Sequence, residues 1–265
     1  MKKINPLVSI IMNCYNGEKY LSESINSIFS QSYKNWELIF FDNNSNDNSK
    51  KIIKSYKDKR IRYFFSKKKL NLYHARNLAL KKTKGKYISF LDVDDLWKKK
   101  KLKSQIDFLK KNKEYKIIYS NYTVLNEITN KKYNKYFKNL DSGYVTQSLL
   151  NNYTLGILTV LFEKKIIQLN GFDKSYNVIG DFDYFLKLSL KNKIAYISNP
   201  LAVYRIHGDN YSIKNLSQYV EELKKWIKKN SNNYKKFTLF YLNYYYNKLR
   251  IKLFLKIYFG RVVQW

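Results

Sequence analysis

Apolar and polar positions in the first half of the chain switch repeatedly between two periods. "LVSIIMNCY" (7–15) is an unbroken β-branched and apolar run, the pattern of a strand covered on both faces. The next segment, about 18–32, places Leu21, Ile25, Ile28 and Phe29 at i, i+4, i+7 and i+8, which predicts an amphipathic helix. "WELIFFD" (36–42) predicts a second strand, "NNSNDNS" a turn with capping residues, and Ile52, Ile53 and Tyr56 a short helix. "IRYFF" (61–65), a helix over about 72–83 closed by Gly85 as its C-cap, and "YISFL" (87–91) continue the alternation. Leu102, Ile106 and Leu109 mark a further helix and "KIIYSNY" (116–122) a further strand. This βαβαβαβ order predicts an α/β fold, a mainly parallel twisted sheet flanked by helices.

The second half is less regular. "LTVLFEKKIIQLNGFD" (158–173) reads as strand, short helix and turn, and a helix opens near Gly180-Asp181. "LAVYRIHGDN" (201–210) reads as a strand running into a loop that carries His207. From about 215 the pattern is helical, Lys-rich and Tyr-rich. The expected organisation is one domain over 1–212, in halves 1–97 and 98–212, followed by a basic helical extension over 213–265.

In parallel sheets, ligands sit beyond the carboxyl ends of the strands. Asn16, Asp42 and Asp92 fall at three such ends. The third is conspicuous: "YISFLDVDDLW" runs from an apolar strand into Asp92, Asp94 and Asp95, then Trp97. Like charges this close are unfavourable unless something neutralises them. By spacing alone, a D-x-D there either binds a divalent cation through hard carboxylate oxygens or forms a solvated turn capping the next helix.

Composition narrows the class. Cys14 is the single cysteine, so there is neither a disulfide framework nor a thiolate zinc cluster, which fits a reducing, cytoplasmic setting. The short basic start and apolar stretch at the N-terminus lack a small-residue cleavage site, and Asn13 and Asn16 interrupt the stretch, so no signal peptide is expected. No run reaches the roughly 18–20 apolar residues of a membrane span. The net charge of +31 fits nucleic acid, anionic lipid or phosphorylated substrates. It also fits plain composition, because Lys, Asn, Ile, Tyr and Phe are enriched together, as A/T-rich coding would dictate. No basic recognition motif supports nucleic acid, so none is expected as a partner. The terminal "KKFTLFYLNYYYNKLRIKLFLKIYFGRVVQW" reads either as an amphipathic basic-aromatic helix on an anionic membrane surface or as a helix packed on the core.

Four spaced stretches now carry a resemblance: "PLVSIIMNCYNGEKYLSESINSIFSQSYKNWELIFFDNNSNDNS", "ARNLAL", "GKYISFLDVDD" and "GDFDYFLKLS". In this order they resemble family-two glycosyltransferases of the A-type (GT-A) fold, a Rossmann-like nucleotide-diphospho-sugar transferase fold, over roughly residues 6–210. The resemblance implies a catalytic domain over 1–212, with 1–97 its nucleotide-binding half and 98–212 its acceptor-binding half. It also implies an inverting transfer of one sugar from a nucleotide-sugar, best a UDP-sugar, with Mn²⁺ or Mg²⁺. The acceptor it implies is a glycan or lipid-linked glycan of surface polysaccharide or lipooligosaccharide synthesis, on the inner face of the cytoplasmic membrane.

By the same resemblance, Tyr15 and Asn16 lie beside the nucleobase and Asp42 hydrogen-bonds it, while Asp47 caps the second helix. Arg76 of "HARN" lies near the donor and pairs with Asp92 or with phosphate. Asp92 contacts the ribose, Asp94 and His207 hold the metal, and Asp95 stands nearby. Asp181 is the candidate general base, with Asp183 the fallback. Trp97 packs beside the acceptor or covers the strand end. Two positions depart from the family pattern: Asn71 stands where a glycine is usual, expected to keep a left-handed turn, and Gly180 replaces the glutamate of a Glu-Asp pair. A sugar nucleotidyltransferase is the rival enzyme class, but "NCYNGEKY" is not its Gly-rich phosphate loop. A basic nucleic-acid-binding protein is the non-enzymatic rival.

Overall fold

The computed structural model describes residues 5–167, 171–230 and 236–259. β1 (Val8–Cys14), β2 (Trp36–Asp42), β3 (Ile61–Phe65) and β4 (Tyr87–Phe90) alternate with α1 (Glu18–Phe29), α2 (Ser49–Ser55) and α3 (Leu72–Leu80). Successive side chains of a strand point to opposite faces, and the sequence fills both. Val8, Ile10 and Met12 pack with Leu21, Ile25 and Ile28 of α1, whereas Ile11, Ile39 and Phe41 pack with Tyr73, Ala75 and Ala79 of α3. All seven residues of β2 are buried. Each fully buried large apolar side chain contributes about 1.5–3 kcal/mol, so this half of the sheet has no weak face.

The chain continues through β5 (Leu96–Trp97), α4 (Lys101–Lys111), β6 (Tyr115–Asn126), β7 (Lys131–Asn134), α5 (Thr146–Asn151) and β8 (Leu161–Glu163). It ends with α6 (Gly180–Ser189), β9 (Lys193–Ile206), α7 (Tyr211–Lys214), α8 (Leu216–Asn230) and α9 (Lys236–Phe259). The strands form one nine-stranded sheet in the order β3-β2-β1-β4-β8-β6-β9-β5, with β7 paired to β6. β3, β2, β1 and β4 are parallel, as expected. Beyond β4 the sheet is mixed: β8 is antiparallel to both β4 and β6, and β9 returns parallel to β6. β5, β7 and α5 are too short for a periodicity to announce them.

Two local expectations are corrected. Gly85 is not a helix cap: α3 ends at Leu80, and Gly85 lies against β1, where a Cβ would meet the Ser9 backbone nitrogen at 2.6 Å. Asn71 is not left-handed (φ −57°, ψ 145°); its side-chain oxygen caps α3 by accepting from the N–H groups of Tyr73 and His74. The C-terminal helices adjoin the main core. Leu223 and Trp226 of α8 and Leu242 of α9 belong to the cluster that contains Phe162 and Phe185. The Glu222 carboxylate accepts from the N–H groups of Asn177, Val178 and Ile179, which fixes the loop entering α6.

Candidate active site

The three acids after β4 form a tight turn that three elements hold in different ways. Ser24 of α1 donates its hydroxyl to the carbonyls of Asp92 and Asp95. Arg205 of β9 donates its Nε to the Asp94 carbonyl at 2.9 Å, and its backbone N–H to Asp95 Oδ1 at 3.0 Å. The same guanidinium pairs with Glu23 at 2.6 Å and Glu127 at 2.5 Å. This turn is a scaffolded feature of the molecule rather than a solvated cap.

Each acid occupies a different environment. Asp92 pairs with Arg76 of α3, at 2.9 and 3.2 Å from the two carboxylate oxygens, so the guanidinium's partner here is Asp92. Asp94 Oδ2 lies 3.0 Å from His207 Nε2 and 3.3 Å from Asn210 Nδ2. Burial first, and the charge of Asp92 second, push the Asp94 carboxyl up from its usual range, against the opposing pull of His207. Asp95 is only 2% exposed, and burial followed by the Asp94 and Asp92 charges drives it far up. Asp95 therefore serves the architecture, joining the acid turn to β9. Trp97 is in the core at 3% exposure and donates Nε1–H to the Leu158 carbonyl at 2.8 Å. Of its two expected places, it takes the one covering the strand end.

A cavity of about 340 Å³ opens over these acids. Its lining includes Arg76, Asp92 and Asp94 together with Tyr73, Asn177 and Asp181. Asp181 stands in the first turn of α6 with its Oδ1 accepting from the Phe182 N–H at 2.9 Å. Burial raises its carboxyl above the ordinary range, while the Arg76 charge opposes this. Asp183, the fallback, points elsewhere: it is buried between Lys187 Nζ at 2.6 Å and Trp226 Nε1 at 2.9 Å. It forms a buried ion pair, is not an exposed acid, and does not line the cavity.

The residues expected around the base stand at the ends of β1 and β2 and are not in the lining of this cavity. Tyr15 is 43% exposed, with Lys69 Nζ 3.6 Å from its ring centre. Asn16 adopts φ +52°, and its Oδ1 accepts from the Asn46 N–H at 2.9 Å, which ties the β1 and β2 loops together. Asp42 is buried, accepting from the Ser45 N–H at 2.8 Å and the Tyr63 hydroxyl at 2.9 Å. Asp47 accepts from the N–H groups of Glu18 and Ser49, joining the starts of α1 and α2.

Several participants had no signal in the sequence. Arg205 and Tyr20 are two: the Tyr20 ring lies 4.8 Å from that of His207, and its hydroxyl donates to Glu127 at 2.7 Å. Asn71, expected only as a turn residue, does more: beyond capping α3, its amide donates to the Tyr176 carbonyl at 2.8 Å.

A divalent cation fits the donor set at the acid turn. A carboxylate oxygen of Asp94 and an imidazole nitrogen of His207 face one another at the cavity's edge. Among the described residues no group of three His, Cys, Asp or Glu side chains converges to hold a metal alone. A cation held by these two side chains would complete its coordination with substrate phosphates and water.

Residues 9–172 match the family described as "Glycosyl transferase family 2". A glucosyltransferase of Escherichia coli, WfgD, named as transferring from UDP-Glc to α-D-GlcNAc-diphosphoundecaprenol in β-1,3 linkage, is 38% identical over 69% of this chain and 69% of its own length. An uncharacterized glycosyltransferase of Haemophilus influenzae is 33% identical over 91% of this chain and 96% of its own. Among solved structures, Staphylococcus aureus TarS 1–349 with UDP-GlcNAc superposes with a TM-score of 0.68 at 19% identity, over 82% of this chain. The mannosyltransferase PcManGT of Pyrobaculum calidifontis with GDP-Man and Mn²⁺ gives 0.63 at 17%, over 85%. The chain spans 64% and 65% of those two structures, and the likeness is one of fold. The match over residues 9–172, the relatives and the mixed sheet with its acid turn agree: the chain belongs to glycosyl transferase family 2, and is a glycosyltransferase of the GT-A fold.

Proposed function

We propose that this glycosyltransferase moves one sugar, with inversion, from a UDP-sugar to a hydroxyl of a glycan or lipid-linked glycan in surface-polysaccharide or lipooligosaccharide synthesis. The observation that carries this reading is the placement of Asp181: one carboxylate oxygen is tethered, and the residue lines the same cavity as the acid turn. In a single displacement, Asp181 takes the proton of the acceptor hydroxyl. That oxygen bonds to the anomeric carbon, and the carbon–oxygen bond to the diphosphate breaks with its electron pair on the diphosphate. Tyr15 gives the base a face to stack on and Asp42 an acceptor for its N–H. Arg76 fixes Asp92 beside the ribose. Asp94 and His207 would hold Mn²⁺ or Mg²⁺, which when bound supplies positive charge to the departing diphosphate.

The acceptor class is supported by the lipid-diphosphate acceptor in the name of the Escherichia coli relative. It is also supported by α9. Among the described residues no helix is long and apolar enough to cross a membrane. Apolar and basic residues of α9 are not segregated to opposite faces, so the simple amphipathic helix is not what forms. Leu242 packs inward, while Tyr244, Tyr245, Ile251 and Phe254 are exposed beside Arg250. An aromatic and basic outer face of this kind suits the headgroup region of an anionic membrane. The last six residues of the expected helix, 260–265, lie outside the described residues.

The test is a panel of UDP-, GDP- and dTDP-sugars with Mn²⁺ or Mg²⁺, read by donor hydrolysis and by protection against thermal unfolding. A UDP-sugar that is hydrolysed and protects only with cation is the expected result; protection by none of the panel would overturn the reading. Sedimentation with phosphatidylglycerol vesicles, and not with phosphatidylcholine vesicles, checks the membrane face.

A further inference from the structure

Gly180 and Tyr73 occupy a single volume. A Cβ on Gly180 would stand 2.5 Å from Tyr73 Cε2, closer than any side chain tolerates, so the glycine is what admits the ring. The ring is buried in the core between α3 and α6, 5.5 Å from that of Phe172. The residue lines the cavity, and its hydroxyl lies 2.8 Å from the Val178 carbonyl oxygen and 3.2 Å from Asp181 Oδ1. A phenol carries one proton, and here it has two acceptors.

We infer that Tyr73 is a positioning residue for the general base, its hydroxyl serving as a two-position donor between Asp181 and the Val178 carbonyl. This rests on the reading of Asp181 as the base. When Asp181 is ionised, the phenol proton goes to the carboxylate, the stronger acceptor. Together with the Phe182 N–H it grips Oδ1, leaving Oδ2, which makes no hydrogen bond among the described residues, to meet the acceptor hydroxyl. When Oδ2 has taken the acceptor's proton, the charge is gone and the phenol proton turns to Val178. No donor is stranded in either state, so the buried site accommodates both protonation states of the base without rearranging its packing.

Five titratable or charged groups bear on Asp181. Tyr73 and Arg76 approach from α3, Asp92 from the acid turn, Tyr153 from beyond α5 and Tyr219 from α8. Arg76 is shared with Asp92 at 2.9 Å, which leaves Tyr73 as the group of this set that donates a hydrogen bond to the carboxylate.

The test is a carbon-13 NMR titration of protein labelled in the aspartate side-chain carboxyls, with Asp181 assigned by its absence in Asp181→Asn. Losing a donor to the ionised form, Tyr73→Phe should move the Asp181 titration up by about one pH unit. With UDP-glucose and Mn²⁺, its kcat should fall about tenfold, the acid limb moving up with it and the donor KM unchanged. An Asp181 titration and kcat profile identical to wild type would overturn the inference. Wild-type turnover by Asp181→Asn would sink the base assignment and the inference with it; a dead Asp181→Asn beside an unchanged Tyr73→Phe sinks the inference alone. Should Tyr73→Phe not fold, Gly180→Ala keeps the hydroxyl but drives the ring from its seat. The same upward displacement is then expected, and its absence is equally decisive.

Discussion

His207 Nε2 and Asp94 Oδ2 lie 3.0 Å apart although 113 positions separate them in the chain. The ring's Nδ1 accepts from the Asp209 N–H at 3.2 Å, and the ring centre lies 4.8 Å from that of Tyr20 at a 45° tilt, so its orientation is fixed from three sides. On the proposed reading, these two side chains would hold the cation. Asp94→Ala should lower cation-stimulated donor hydrolysis by about 100-fold or more. His207→Ala should raise the Mn²⁺ concentration for half-maximal activity by roughly tenfold while leaving the EDTA-insensitive rate alone. Titrating activity with Mn²⁺ after EDTA treatment reads both.

Asp181→Asn should reduce kcat by about 10²–10⁴-fold, leaving the donor KM near that of wild type. The pH dependence follows in sign from burial. The folded Asp181 carboxyl holds its proton to a higher pH than an ordinary aspartate, and only the ionised form accepts a proton. Activity should therefore fall on acidification through a pKa above about 3.9, the unperturbed value. A kcat profile flat down to that value would contradict the assignment.

Asp183 supplies the contrast two positions on. Its carboxylate is buried between Lys187 and Trp226, away from the cavity. Asp183→Asn should keep kcat within about twofold, since it leaves the reacting groups alone. The loss should fall on stability instead, about 1–3 kcal/mol in urea unfolding, because a charge-assisted buried hydrogen bond is weakened.

Lys101 is fully buried, with its ammonium nitrogen 3.0 Å from the Ser89 hydroxyl, 2.9 Å from Gln105 Oε1 and 4.1 Å from the Trp97 ring centre. Burial without a carboxylate partner drives its pKa well below the usual lysine value. The unfolded chain keeps that proton up to about pH 10.4, so between the two pKa values the unfolded state binds more protons and stability rises with pH. Urea unfolding between about pH 7 and 9, below the tyrosine range, should show a slope of up to about 1.4 kcal/mol per pH unit. Lys101→Met should flatten it; an unchanged slope would place the proton elsewhere.

How far the sequence reaches depends on the range over which each feature is encoded. The strands β1, β2 and β4 and helices α1 and α3 are written as local periodicities of apolar residues, and they form where the pattern places them. The acid turn was legible for the same reason, since adjacency in sequence is adjacency in space. Gly85 was misread because a glycine after a helix is the usual sign of a cap, whereas here a neighbouring strand needs the space. Asn71 was misread because capping and left-handed turns use the same residue type. The apolar and basic residues of α9 follow no helical period, so the side that Leu242 buries against the core is set by tertiary packing alone.

By itself, the sequence determined the alternation of strands and helices, the convergence of Asn16, Asp42 and Asp92 at strand ends, and the identity of the acids. These depend on backbone periodicity and on short spans of chain. Only the tertiary structure decided that β8 enters antiparallel, that Asp183 is interior while Asp181 faces the cavity, and that Trp97 lies in the core. It also decided that Gly180 yields its volume to a tyrosine 107 positions earlier, whose hydroxyl reaches the base. Such relations arise from packing between elements distant in the chain, where shape and hydrogen-bond closure select the partner and no local period records the choice.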